Sequence, residues 1–254
     1  MCLLALCWQH HPDYPLLLAA NRDEFHQRPT RAANHWPEHP GLMGGKDLQA
    51  GGSWLLANQQ GHWAALTNVR NGRELAQAQP AASRGELVLK AVQQQPAAMA
   101  DWLIQHGKNY AGFNLLWGNK NQAWYFSNRL AQTPQALPPG LYLLSNATLD
   151  VSWPKTRRLK QGINHWLQQP DCHPLQLFDT LTDQVQAPDH ELPDTAIGLE
   201  RERFLSPVFI TGEHYGTRAS TLLWQNSKGQ WFLHERNHQH NQKQVNERQF
   251  TWQG

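Results

Sequence analysis

The chain has 254 residues, with 22 Lys and Arg against 20 Asp and Glu, a formal net charge of +2. That length suffices to bury a substantial core, and the near-balance of charge excludes the polybasic character of a nucleic-acid or membrane-surface protein. No run of about 18 apolar residues occurs, so no candidate transmembrane helix exists.

The first signal in chain order is a pair of short apolar runs. Met1-Cys2-Leu3-Leu4-Ala5-Leu6-Cys7-Trp8 and Leu16-Leu17-Leu18-Ala19-Ala20 are joined through a loop of turn formers, Gln9 to Pro15. They read as two buried antiparallel strands. Directly after the second run come Asn21, Arg22, Asp23 and Glu24, charges that are costly against an apolar strand end unless paired or functional.

Residues 26 to 50 show no clean periodicity and are expected to be a long irregular segment. Residues 53 to 57 and 62 to 68 then form a hairpin ending in Asn68. Ser83 followed three residues later by Glu86 reads as a capping box opening a helix through Val92. A second helix is expected at about 96 to 105, with Met99, Trp102 and Leu103 on one face. Residues 113 to 117 and 123 to 126 form another hairpin, and 141 to 146 a strand ending in Asn146. Pro154 opens a helix running to Gln168, residues 174 to 182 look helical, and 187 to 199 read as loop. Strands follow at 207 to 210, 219 to 224 and 230 to 233. A polar stretch from 237 to 248 is expected to be an exposed loop before a last strand at 249 to 252. Strands flank a central helical block without βαβ repetition, which gives an α+β class, and no domain boundary stands out within 1–254.

The position of Cys2 suggests chemistry. If Met1 is removed, Cys2 carries a thiol and a free α-amine, with reference pKa values of about 8.5 and 7.7–8.0. An amine titrating near neutrality can serve as base for the thiol on its own residue. The plainer reading is that Cys2 is a small apolar residue at the start of a strand.

Met1-Cys2-Leu3-Leu4, Asn21-Arg22-Asp23-Glu24 and Gly51-Gly52-Ser53-Trp54-Leu55 together resemble the NRDE family, also called the Transport and Golgi Organization protein 2 family. Ala65 to Arg70, Ser83 to Val88 and Tyr215-Gly216-Thr217-Arg218 extend the resemblance to about residue 224. It implies an N-terminal-nucleophile-hydrolase-like fold: a four-layer αββα sandwich of two antiparallel sheets between helices. It implies no settled reaction, the family's associations being with Golgi organisation, lipid metabolism and haem trafficking.

The chain is also similar to the bile-salt hydrolase and penicillin acylase branch of N-terminal nucleophile enzymes. There an N-terminal Cys is joined by Arg, Asp, two Asn and a late Arg. On this resemblance the catalytic candidates are Cys2, Arg22, Asp23, Asn68, Asn146 and Arg218. That branch spaces its Arg and Asp farther apart, so the division of roles among Asn21, Arg22 and Asp23 stays open. Asn21, Glu24, Trp54 and Arg70 are candidates for substrate contact. Each has a plainer structural role available: Asn as a strand-end cap, Arg22 with Glu24 or Asp23 as an ion pair.

The 14 His residues are scattered without zinc-helix spacing, so no metal site and no cofactor are expected. Three Cys form no framework pattern and point to a reducing compartment. The Leu-rich start lacks a basic leader and a cleavage site, so a cytoplasmic protein with a small-molecule partner is expected. Three readings compete, one of them an interaction protein with a vestigial site. Another is an N-terminal cysteine amidohydrolase acting on a linear or lipid-like amide. The third is a non-catalytic carrier of haem or an acyl-CoA/lipid ligand in the same pocket, which the twelve Trp would line.

Overall fold

The computed structural model describes residues 3–75, 82–238 and 245–254; Cys2, with the role assigned to it, lies outside the described residues. Strands β1 (Leu3–Trp8) and β2 (Leu16–Phe25) pair antiparallel, Leu3 opposite Asn21 and Trp8 opposite Leu16. Their even-numbered apolar residues Leu4, Leu6, Leu16, Leu18 and Ala20 enter one core, while Leu3, Ala5, Cys7, Leu17 and Ala19 enter another. The period of two along a strand produces that division. With both faces covered, both strands read as continuous apolar runs.

Strands β3 (Thr30–His35), β4 (Leu42–Asp47), β5 (Leu55–Asn58) and β6 (Trp63–Asn68) precede helices α1 (Gly72–Leu75), α2 (Gly85–Val92) and α3 (Pro96–His106). Strands β7 (Phe113–Gly118), β8 (Ala123–Ser127), β9 (Gln135–Ala136) and β10 (Gly140–Leu144) lead to α4 (Pro154–Leu167), α5 (Leu177–Leu181) and α6 (Leu199–Phe204). Strands β11 (Tyr215–Gln225), β12 (Gln230–Asn237) and β13 (Asn246–Gln253) follow. One sheet has the order β10-β1-β2-β11-β12-β13, the other β3-β4-β5-β6-β7-β8-β9, and every described pairing is antiparallel.

Three cores stack these elements. Leu4, Leu18, Trp63, Leu116 and Trp231 fill the space between the sheets. Leu56, Leu66, Trp117, Val88 and Leu103 join the second sheet to α2 and α3, and Ala19, Leu222, Leu159 and Phe178 join the first to α4 and α5. The result is a four-layer αββα sandwich, the architecture that the family resemblance implies.

Several local expectations need correction. The Asn21–Glu24 tetrad lies inside β2, which runs to Phe25 because β11 pairs with it to that point, Tyr215 opposite Phe25. Residues 30–47 form the β3–β4 pair although their burial alternates poorly; a register shift between Arg31 and Asn34 blurs the period. The capping box at Ser83 does not form: the N-cap is Arg84, whose side chain makes no capping bond, and the Glu86 carboxylate instead accepts the Tyr110 hydroxyl. Helix α6 begins at Leu199, the last residue of the expected loop, and runs through residues for which no element was expected, and 207–210 is not a strand. Of the polar stretch 237–248, residues 239–244 lie outside the described residues and 246–248 belong to β13.

Burial pushes the His238 imidazole down to about 4, whereas an unfolded histidine titrates near ~6.5. Between those values the unfolded chain binds the extra proton, so this stabilisation is complete above about pH 6.5 and lost as pH falls towards 4. Burial pushes His62 and His234 in the same direction, while the burial-raised carboxyl of Glu235 acts in the opposite sense. His238→Gln is therefore expected to flatten the acid limb of the urea-midpoint-against-pH curve. An unchanged slope would remove His238 from that account.

Candidate functional site

Strand alternation splits the tetrad between two faces. Arg22 and Glu24 follow Ala20 onto the inter-sheet side and line a cavity of about 390 Å³, together with Arg28, Asp47, Trp54, Asn68 and Arg84. Asn21 and Asp23 point the other way. The Asn21 amide donates to the Leu181 and Val208 carbonyls, both at 2.8 Å, and its Oδ1 accepts from Ser220 Oγ at 2.7 Å. Fully buried, Asn21 ties β2 to α5 and is placed away from the cavity it was expected to line. Asn21→Ala should cost about 2–3 kcal/mol in urea unfolding, since three buried groups lose their partner. A loss below about 0.5 kcal/mol, ordinary for surface sites, would deny the tie. The buried Asp23 carboxylate accepts from Thr217 Oγ1 at 2.7 Å.

Arg22 is 3% exposed and lies over the Trp54 ring, 4.3 Å from the guanidinium carbon to the ring centroid. Glu24 and Asp47 each stand 3.9 Å from its Nη2. Arg28 shares the same carboxylates, at 2.8 Å from Asp47 and 3.6 Å from Glu24. Burial pushes the Arg22 guanidinium down and these carboxylates push it up, and arginine stays charged under such pressure. Burial also pushes Asp47 up, but the bond from Arg28 and the Ala50 and Gln49 amides outweighs it, holding Asp47 below the usual carboxylate range.

Gly45 on β4 and the glycines of two motifs shape this wall. A Cβ on Gly45 would lie 2.1 Å from the Trp54 ring, and one on Gly52 only 2.4 Å from the Gly85 backbone. Only bare backbone lets Trp54 lie flat under Arg22 and lets the start of α2 reach β5. Ser53 N–H donates to the Gly85 carbonyl at 3.1 Å and Ser53 Oγ to the Gly45 carbonyl at 2.7 Å. The Gly51–Trp54 and Ser83–Glu86 motifs therefore meet at one corner of the cavity.

The remaining expected residues sit beside it. Asn146 lines a neighbouring cavity of about 590 Å³ with Arg70, Arg73 and Arg129. Its Nδ2 donates to the Asn68 carbonyl at 2.9 Å while Arg70 N–H donates to the Asn146 carbonyl at 2.7 Å, joining the two sheet ends. Arg70 pairs with the buried Glu202 at 2.6 Å, donates to Thr195 Oγ1 at 3.1 Å and stacks on Trp153. Arg218 falls at a register shift between Thr217 and Ala219, and such irregularities re-aim a side chain. Its Nη1 donates to the Phe25 and Arg28 carbonyls at 2.8 and 3.3 Å, bracing the turn that carries Arg28.

Arg28, Asp47, Arg84 and Glu235 were not expected in this role. Arg28 and Asp47 lay in the apparently irregular segment, though Arg28 follows Glu24 by four residues. Glu235, 1% exposed, accepts from Ala33 N–H at 2.6 Å and from Asn237 Nδ2 at 3.0 Å in the inter-sheet layer; its strand pattern gave no sign of a buried charge. Among the described residues no group of three or more His, Cys, Asp or Glu is placed to hold a metal ion, and no helix is long and apolar enough to cross a membrane.

A four-layer αββα sandwich with a charged cavity at the end of its first two strands defines the class. The chain belongs to the Transport and Golgi organisation 2 family, whose profile matches residues 1–240. It is 30% identical over 258 residues to the mouse Transport and Golgi organization 2 homolog and 31% identical over 258 residues to the human Transport and Golgi organization protein 2 homolog. Each alignment covers 93% of this chain and 92% of the relative. Among solved structures, the Caenorhabditis elegans N-acylethanolamine-hydrolyzing acid amidase ortholog aligns with a TM-score of 0.47 at 8% identity, covering 87% of this chain and 92% of its own.

Proposed function

We propose that this chain is an N-terminal cysteine amidohydrolase that cleaves a non-peptide amide once Met1 is removed, working as a single domain in the cytoplasm. The observation that carries the reading is the gathering of Arg22, Glu24, Trp54 and Asn68 around one cavity at the end of the β1–β2 ladder. Leu3, to which Cys2 is bonded, pairs with Asn21, so the level of Arg22 on β2 is one residue beyond the start of β1.

In this reading the Cys2 thiolate attacks the amide carbonyl carbon, its proton having passed to the Cys2 amine. The C–N bond then breaks as the ammonium returns a proton to the leaving nitrogen, and water hydrolyses the thioester. Arg22 stabilises the thiolate. Asn68 is the candidate donor for the oxyanion. Asn146, whose amide already donates to the Asn68 carbonyl, serves as a positioning residue, and Arg218 does so through the 25–28 turn. Asp23, held by Thr217, is the candidate anchor for the ammonium. The charged lining gives carriage of an uncharged lipid less support, because an apolar ligand would leave Arg22, Glu24 and Asp47 desolvated without new partners; the anionic groups of haem or an acyl-CoA do not meet that objection.

Intact mass of untagged protein made in cells is the direct test. Loss of Met1 is expected. Complete retention would sink the amidohydrolase reading.

A further inference from the structure

The cavity carries more positive charge than its own carboxylates balance. Arg22, Arg28 and Arg84 line it against Glu24 and Asp47, and the guanidinium of Arg218 stands close enough to act on Arg22. A further acidic group that acts on Arg22 is the buried Glu235, already committed to Ala33 N–H and Asn237. Both lining carboxylates serve Arg28 as well as Arg22, so neither arginine has one to itself. Arg22 Nη1 is buried without a hydrogen-bond partner among the described residues, although its side chain is 4% exposed and lines the cavity. A buried guanidinium N–H left unpaired is costly. The start of α2, Ser83 to Gly85, also lines the cavity, and its partial positive charge favours an anion.

We infer that this cavity binds a dianionic oxyanion group of the substrate, such as a phosphate monoester, held by Arg22, Arg28 and Arg84 together with the α2 N-terminus. That the group belongs to a substrate rests on the amidohydrolase reading; that the cavity binds a dianion does not. The substrate is thereby an amide with a doubly charged anionic end, and an uncharged lipid amide is a poor fit. Asp47 and Glu24 keep the arginines separated when the cavity holds no anion, and they set a ceiling on its affinity.

Binding of methyl phosphate, a dianion at about pH 8, is measured by calorimetry against acetate as the monoanion. Saturable methyl phosphate binding, tighter than acetate and weakened by added salt, is expected. Arg84→Gln should weaken it about tenfold, the loss of one charge-assisted contact. Asp47→Asn should tighten it, a direction that mere loss of structure does not produce, and Arg157→Gln on α4 should leave it unchanged. Methyl phosphate binding no tighter than acetate, or an Asp47→Asn protein that binds no better than the parent, overturns the inference. Because binding needs no turnover, these outcomes are independent of whether Met1 is lost.

Discussion

Gly52→Ala should destabilise the fold by about 3 kcal/mol, far more than the same change at its neighbour Gly51. Gly52 is buried, and a methyl group there would sit 2.4 Å from the Gly85 carbonyl carbon and 2.7 Å from its Cα and oxygen. Those atoms are backbone at the start of α2, so no rotamer change relieves the contact. The helix has to lift off the strand, stretching the bond from Ser53 N–H to the Gly85 carbonyl. Gly51 has φ +77 and open space around its Cβ position; alanine there pays only the left-handed backbone cost of about 1 kcal/mol. Urea unfolding of the two single variants distinguishes clash from backbone strain. Equal losses would mean that close packing of the two glycines contributes nothing, and the wall of the cavity would need another explanation.

Those two glycines show what the sequence carried and what it hid. The Gly-Gly-Ser-Trp and Ser-Arg-Gly-Glu stretches stand out as motifs, but only the tertiary contact reveals that one glycine fits against the other. The element pattern made the α+β class readable, with β1 and β2 standing out as apolar runs, and the four layers came from the family resemblance. Strands β3 and β4 were not readable: an irregular pairing and the glycines at 44 and 45 break the alternation on which strand recognition depends. With them went Arg28 and Asp47, half of the charge cluster. Spacing in sequence also suggested that Asn21 to Glu24 act as a unit. The period of two instead sends Arg22 and Glu24 to the cavity and Asn21 and Asp23 to α5 and Thr217. Residues distant in sequence, Asn68 and Asn146, are joined by a hydrogen bond that no local pattern encodes.

The thiols should differ in reactivity by orders of magnitude. Burial pushes Cys7 up to about 12, so its thiolate fraction at pH 7 is on the order of 10⁻⁵ and access is closed as well. A Cys2 with an ordinary thiol would be a few per cent thiolate at that pH, and the proposed site lowers its pKa further through Arg22 and its own ammonium. Iodoacetamide labelling of processed protein, resolved by peptide, is expected to modify Cys2 well before Cys7, with Cys172 as the half-buried reference. Arg22→Ala removes one of the two cations and should move the pH midpoint of Cys2 labelling upward by about one unit, the effect of a single nearby charge. The same substitution also uncovers Trp54 and leaves Glu24 and Asp47 to Arg28 alone, so folding is followed by near-ultraviolet circular dichroism. Arg22→Lys provides the control, since it keeps the charge without the planar stack on Trp54, and its midpoint should return most of the way to the parent value. Slow labelling of Cys2 at the Cys7 rate, or a midpoint indifferent to both substitutions in folded protein, would leave Cys2 as a strand residue and Arg22 as an ion-pair partner only.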